Sequence, residues 1–287
     1  MKKSRPEPPS TSVGSVRLTN PDKLLYPEAG ITKRHLAEYY ERVSRWMLPH
    51  VSGRPVTFVR CLNGWTRPGF FQKHAAGGLA QGVRVFEWGD SDVLVVDDAT
   101  TLVALAQMCV LEVHVWGAHV DALERPDLLV FDLDPDVEVP WSEVVSAALE
   151  VRQRLVRLGH EPCVKTTGGK GLHVCSRPPR RMTWHEAREI GRALGETMAA
   201  DAPGRFLTSI SKAKRKGKIL LDFSRNHPQA TFVAPYSPRA RAGATVAMPL
   251  SWDELEGSRP AAYTITNAVE RLEKLGDPWA PIAGRLP

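Results

Sequence analysis

The stretch LLVFDLDPDVEVP, Leu128 to Pro140, opens with four apolar residues and then sets an acid at every second position: Asp132, Asp134 and Asp136. A strand sends successive side chains to opposite faces, so Asp132 and Asp134 share one face while Leu133 enters the other. Two carboxylates so placed can ligate one divalent cation, and they can equally well end a strand in solvent. Pro135 fixes its own φ and redirects the chain, which makes Asp136 a turn residue. With Glu143 the three acids also match the ligand spacing of a calcium-binding EF-hand loop. Val137 stands where that loop needs glycine, Pro135 stiffens it, and the residues before it read as strand, all of which argue against a calcium site.

A third acid raises the stakes. Asp222 follows the apolar run Ile219, Leu220, Leu221 and precedes FSRN. If that strand lies beside the first, Asp132, Asp134 and Asp222 can hold two metal ions at a shared end, the arrangement that activates a hydroxyl and stabilises the oxygens of an in-line phosphoryl displacement. The alternative is an edge acid paired with Arg225.

Phosphate chemistry has its own segment. In KTTGGKGLHV, Gly168, Gly169 and Gly171 permit a tight backbone path, and Thr166, Thr167, Lys170 and His173 can donate to phosphate oxygens. The pattern differs from the Walker loop, so a P-loop ATPase is disfavoured, and a plain glycine hairpin remains the local alternative. SKAKRKGK, just before the Asp222 strand, packs Lys212, Lys214, Arg215, Lys216 and Lys218 into seven residues. It is either a solvated loop or a track for a polyanion. Arg239 and Arg241 after APYSP reach toward a triphosphate or a nucleic-acid backbone. Asn20, Lys23 and Lys33 surround an early capped loop, and GFFQKH offers Phe70 and Phe71 beside Lys73 and His74. Neighbours on a strand cannot share a face, so in a strand at most one Phe is core, whereas in a loop both can stack on bases.

The whole chain fits around these segments. Its 287 residues, 43% hydrophobic and 24% charged, describe a globular protein with room for one large domain or two packed lobes. Thirty-eight Lys and Arg against 32 Asp and Glu leave a net +6, a mild preference for anionic partners. Cys61, Cys109, Cys163 and Cys175 form no CxxC pair, so a structural zinc site is unsupported and reduced thiols are expected. No apolar signal-peptide core follows Met1, and no run approaches the roughly 20 apolar residues of a membrane span. A cytoplasmic protein, nucleoid-associated when bound to DNA, is expected.

Residues 1–13 read as a mobile tail, followed by a domain over 14–287 whose lobes divide as 14–110 and 111–287. Thr32 caps a helix running to Met47, stopped by Pro49 and Gly53. A strand follows over Val56 to Arg60, then a helix over Thr100 to Met108. In VLEVHVW, Glu112, His114 and Trp116 alternate with Leu111, Val113 and Val115. Further helices cover Trp141 to Leu158, Trp184 to Met198 capped near Thr183, and Thr264 to Leu275. No repeat is present, and the irregular alternation of strands and helices specifies a mixed-sheet α+β class.

Taken in order, LTNPDKLLYP, FFQKH, LEVHVWG, RPDLLVFDLDP, KTTGGKGLHV, TSISKAKR, LLDFSRN and APYSPRARAGATVAMPL resemble the polymerase domain of bacterial DNA ligase D, in the archaeo-eukaryotic primase superfamily, freestanding or excised from a longer chain. The resemblance implies an α+β fold, a primase-like catalytic core with an RRM-like palm element and a packed N-terminal lobe. It assigns Asp132, Asp134 and Asp222 as metal-binding catalytic carboxylates. Thr167, Lys170, His173 and Arg239 become nucleotide contacts, with His114 as a wall or nucleotide contact. Asn20, Lys23 and Lys33 match residues that read the 5′-phosphate across a gap, while Phe70 and Phe71 match an aromatic pair that packs on template bases. Lys214, Arg215 and Lys216 fall on the DNA side. Thr167 stands where serine is common in the family, and DFSRN replaces an aromatic-tyrosine context. The implied activity is templated addition of an NTP or dNTP to a primer 3′ end during non-homologous end joining, with ribonucleotides and Mn²⁺ favoured, Mg²⁺ also usable, and Ku and a ligase as partners. A metal-dependent nuclease and a noncatalytic DNA-end-binding module are the competing classes.

Overall fold

The opening stretch becomes the central strand of a sheet. Leu129–Pro135 pairs antiparallel with Ile219–Asp222 on one side and Leu172–Ser176 on the other, in a computed structural model that describes residues 9–179 and 181–283. Pro162–Thr166 and then Pro249–Leu250 continue past Leu172–Ser176, and Phe206–Leu207 joins the far edge in parallel. Helix Trp141–Arg157 links the first of these strands to Pro162–Thr166, and helix Trp184–Asp201 lies between Leu172–Ser176 and Ile219–Asp222. Strand, helix, strand, strand, helix, strand, with the fourth strand beside the first, is the split βαβ unit that the RRM-like expectation requires.

Alternation along the central strand decides what each face does. Helix Trp141–Arg157 buries Val144, Val145, Ala147, Ala148, Val151 and Leu155, the stripe of an amphipathic helix. Helix Trp184–Asp201 begins in a capping box, where Thr183 accepts from the Glu186 N–H and Glu186 returns to the Thr183 N–H. Phe131 lines one small cavity together with Val151 and Leu194 from these two helices. With Phe131 and Leu133 directed to the helices, Asp132 is directed to the opposite face.

That face looks onto a second sheet, ordered Thr231–Val233, Val110–Trp116, Val56–Arg60, Ser91–Val95 and Arg84–Trp88, with Phe70–Gln72 also paired to Val56–Arg60. Helices Lys33–Val51 and Ala99–Gln107 pack on each other beside it. Leu36, Phe58, Leu105 and Val113 share one hydrophobic core with Leu129, Val151 and Val164. Among the described residues no helix is long and apolar enough to cross a membrane, and the four cysteines are free.

Four expectations need correcting. Ser10–Val13 is a strand paired with Val16–Thr19, so the anticipated tail is already folded there, and its residues 1–8 lie outside the described residues. The division at 110/111 does not separate two lobes, because Val110–Trp116 pairs with Val56–Arg60 inside the second sheet and Thr231–Val233 returns to its other side from far along the sequence. The last helix is only Ala268–Leu275. Before it, Asn267 turns its side chain back to the Thr264 N–H and holds a non-helical turn. The first helix does carry the Thr32 cap, but it passes Pro49 and ends at Val51.

Candidate active site

Strand register builds the floor of the site. Lys165 pairs with His173, His173 with Asp132, and Asp132 with Asp222, so four polar side chains from four strands form one row across the sheet. The strand of Asp222 therefore does lie beside that of Asp132, and the Arg225 pairing holds as well. Arg225 Nη2 stands 3.5 Å from Asp132 Oδ2 and 3.6 Å from Asp222 Oδ2. His173 Nε2 lies 3.5 Å from Asp132 Oδ1 on the other side. Asp134 is held by Arg215 Nη1 at 2.9 Å and Lys170 Nζ at 3.2 Å. Asp136 is a turn residue, its carboxylate accepting from the Glu138 N–H.

Charge in this row is set by burial and by neighbours. Burial works against ionising Asp132, but His173, Arg225 and Lys165 outweigh it and hold the carboxyl down to about 2. Burial, followed by the charge on Lys165, pushes His173 down to about 4, so its ring is neutral at pH 7. Lys165 is fully buried, its ammonium finds no hydrogen-bond partner among the described residues, and burial pulls its pKa to about 7.

Three carboxylates on adjacent strands are hard oxygen donors of the kind that Mg²⁺ and Mn²⁺ take, so Asp132, Asp134 and Asp222 are the residues that would hold such ions. Among the described residues no three acidic, His or Cys side chains converge on one point. Arg225, Arg215 and Lys170 instead neutralise the acids pairwise.

The glycine segment forms the second wall. Thr167 donates its N–H and its hydroxyl to the Gly171 carbonyl at 3.0 Å and 3.1 Å, closing the hairpin between Pro162–Thr166 and Leu172–Ser176. Gly168 has φ +68°, and a Cβ there would come within 2.7 Å of Arg239 Cγ. At Gly171 a Cβ would stand 2.4 Å from the Leu133 carbonyl oxygen. The loop thus lies against both the acidic strand and the arginine only because these positions lack side chains. Arg239 donates Nη1 to the Thr167 carbonyl, and Lys170 donates to that of Pro135.

Opposite stands the second sheet, with His114 and Phe71 meeting edge to face at a centroid distance of 6.2 Å. Glu112 sits behind His114, its carboxylate accepting from His114 Nε2 at 2.7 Å. Burial raises the Glu112 pKa, but the His114 hydrogen bond, Arg239 and the Ala240 N–H together bring it to about 2. The walls enclose a cleft of about 730 Å³, reached by Asp132, Asp134, Lys170, His173, Arg239 and His114. The expected carboxylate and nucleotide residues are thus brought together, except that Asp222 takes part only from the end of the row.

The expected DNA residues divide. Asn20 and Lys23 line a separate surface cavity of about 350 Å³. Lys33 neighbours them through its N–H, which donates to the Lys23 carbonyl at 2.9 Å. Its ammonium is buried and donates to the Thr19 carbonyl at 2.8 Å, so it does not face that cavity. Phe70 and Phe71 are on a strand and both exposed, 45% and 64%. Only Phe71 reaches the cleft, while Phe70 lies over the Arg60 guanidinium at 5.3 Å. Lys214 and Lys216 are exposed, but Arg215 turns inward to Asp134.

Sequence reading missed the connecting role of Glu112, the reach of Arg225 to Asp132 as well as to Asp222, and the burial of Lys165. Hairpin symmetry about Gly169 held the signal for the last, because it places Lys165 opposite His173. The strand Thr231–Val233, which brings Phe232 to within 6.1 Å of the His173 ring, is too short to announce itself.

A family model described as LigD, primase-polymerase domain, matches residues 32–279. The chain belongs to the LigD primase-polymerase family. This is a nucleotidyltransferase family whose members depend on metal ions. The Multifunctional non-homologous end joining protein LigD of Pseudomonas aeruginosa is 36% identical over 280 residues, 95% of this chain but 33% of that protein. The Bifunctional non-homologous end joining protein LigD of Bacillus subtilis is 30% identical over 266 residues, 92% of this chain and 43% of that protein. The chain therefore spans between a third and a half of the length of these LigD relatives. The polymerase domain of Mycobacterium tuberculosis ligase D, solved in complex with DNA, superposes with a TM-score of 0.85 at 32% identity, covering 93% of this chain and 97% of that one. The LigD likeness thus extends over the whole α+β fold.

Proposed function

We propose that this chain extends a primer 3′ end across short gaps at DNA breaks, taking NTP or dNTP under template direction, in non-homologous end joining. The observation that carries the reading is the single cleft in which the Asp132 row faces Lys170 and Arg239. One wall suits hard cations and the other suits a triphosphate. The Mycobacterium tuberculosis domain binds DNA, and the exposed Lys214 and Lys216 with the Asn20 and Lys23 cavity give this chain places to hold a backbone and a 5′-phosphate.

In that reading Asp132, Asp134 and Asp222 hold the divalent ions, which when bound lower the cost of forming the primer 3′-alkoxide. Lys170 and Arg239 neutralise the triphosphate as charge moves onto the leaving pyrophosphate. Arg225 and Arg215 balance the negative charge of the carboxylates in the absence of substrate. The neutral His173 braces Asp132, and Phe71 offers a face for a template base. Mn²⁺ above Mg²⁺, ribonucleotides above deoxyribonucleotides, cytoplasmic location and cooperation with Ku and a ligase complete the proposal.

A nuclease would use the same acids but has no need of the Lys170 and Arg239 wall. An end-labelled gapped duplex with Mn²⁺ separates the classes. Lengthening that requires added triphosphate supports polymerisation, shortening without triphosphate supports a nuclease, and binding without either change leaves an end-binding module.

A further inference from the structure

We infer that Glu112 is a positioning residue for the nucleotide side of the cleft, its one carboxylate fixing the His114 ring and the Arg239 guanidinium together. The inference rests on the reading of His114 and Arg239 as nucleotide contacts.

Glu112 is 7% exposed and does not line the cleft, so it acts through its neighbours. Oε2 accepts from His114 Nε2 at 2.7 Å and lies 3.1 Å from Arg239 Nε, while Oε1 accepts from the Ala240 N–H at 2.9 Å. An ordinary buried ion pair needs one partner. Here two hydrogen-bond donors and one guanidinium converge, and the two side chains among them, His114 and Arg239, line the cleft.

The chemistry of the acceptor fixes the donor. An ionised carboxylate only accepts, so the proton of a neutral His114 must sit on Nε2, which leaves Nδ1 as the ring atom available to a ligand. Arg239 Nε stands 3.1 Å from Glu112 Oε2 as an ion pair without a directed hydrogen bond, and Nη1 donates to the Thr167 carbonyl, so Nη2 is the arm of the fork that neither of these two contacts engages. Its backbone is anchored too, since the Arg239 carbonyl accepts from the Tyr26 hydroxyl at 2.9 Å. Glu112 thereby joins the second sheet, which carries His114, to the loop that carries Arg239.

The test combines ¹⁵N spectra of the histidine rings with kinetics on a gapped duplex. Wild-type His114 is expected as the Nε2–H tautomer, and an Nδ1–H tautomer would overturn the inference without any variant. Glu112→Gln keeps the shape but turns an amide N–H₂ toward donors. It is expected to raise the KM for NTP roughly tenfold, the cost of one charge-assisted hydrogen bond, and to shift the His114 ring signals, with affinity for the gapped duplex unchanged. Glu112→Asp should recover part of the KM. In a Glu112→Gln background, His114→Ala should add less than it does alone, because the two act as a unit. Unchanged KM and ring signals in Glu112→Gln, with His114→Ala and Arg239→Ala still raising KM, would overturn the positioning role alone. Unchanged KM in His114→Ala and Arg239→Ala would remove the nucleotide-contact reading and this inference with it.

Discussion

Asp132 and Asp222 are direct register partners on adjacent antiparallel strands, and one arginine, Arg225, stands within 3.6 Å of both carboxylates. Two like charges that close repel each other unless a cation lies between them. The protein supplies that cation from the loop following Asp222. On the proposed function, divalent ions entering the row would compete with Arg225, and with Arg215 and Lys170 at Asp134, which would tie metal occupancy to rearrangement of basic side chains.

Lys23 lines the cavity near Asn20, whereas the Lys33 ammonium is turned to Thr19. Lys23→Ala is therefore expected to cut the preference for a 5′-phosphorylated gap by roughly tenfold, the worth of one charge-assisted contact. Competition binding between phosphorylated and unphosphorylated gapped duplexes measures it. An unchanged ratio would take Lys23 out of this role.

Phe71 is 64% exposed and lines the cleft, and Phe70 lies on the other face of the same strand. Phe71→Ala should change stability by no more than about 0.5 kcal/mol yet weaken binding to a gapped template by about 1–3 kcal/mol, as loss of a stacking platform does. Phe70→Ala should affect gapped-DNA affinity less. Equal losses in both variants would contradict the assignment of the stacking face to Phe71.

A Cβ at Gly171 would press to 2.4 Å from the Leu133 carbonyl on the strand that carries the acids. Gly171→Ala is expected to lower stability by about 2 kcal/mol through overpacking against backbone, read as a reduced urea midpoint at unchanged slope. Because the displaced strand bears Asp132 and Asp134, kcat should fall as well.

The buried Asp127 receives the Arg54 fork, with two contacts of 2.6 Å, and the His119 ring at 3.1 Å. Burial raises its pKa, but Arg54 and His119 prevail and depress it from 3.8 to about 2. A folded value below the unfolded one means that the unfolded chain binds the proton first. This contribution, about 2 kcal/mol, is thus fully present above pH 4 or so and is lost as pH falls through about 2. Asp127→Asn should lower stability at neutral pH and flatten the acid limb of a stability-versus-pH curve.

What the sequence made legible followed from periodicity. Alternation placed Asp132 and Asp134 on one strand face, and the Thr32 and Thr183 caps marked two helix starts. Pairing between strands was harder. That Asp222 neighbours Asp132 depends on a sheet whose strands are ninety residues apart, and only the family resemblance pointed there. The division at 110/111 failed for the same reason, since Thr231–Val233 completes the second sheet from a distance. Side-chain destinations were the least legible. Arg215, one cation in a basic run, leaves its neighbours for Asp134 because a half-buried acid nearby offers it a charge-assisted hydrogen bond at 2.9 Å.

The central claim is that the Asp132 and Asp222 row drives templated nucleotidyl transfer. It is tested most directly by incorporation into a 5′-phosphorylated gapped duplex, with Mn²⁺ and each triphosphate in turn as the template base is varied. The inserted nucleotide should follow the template base, and Asp132→Ala and Asp222→Ala should each reduce the rate by at least about 100-fold while gapped-DNA binding persists. No incorporation by the wild-type protein, or an undiminished rate in both variants, would contradict the account.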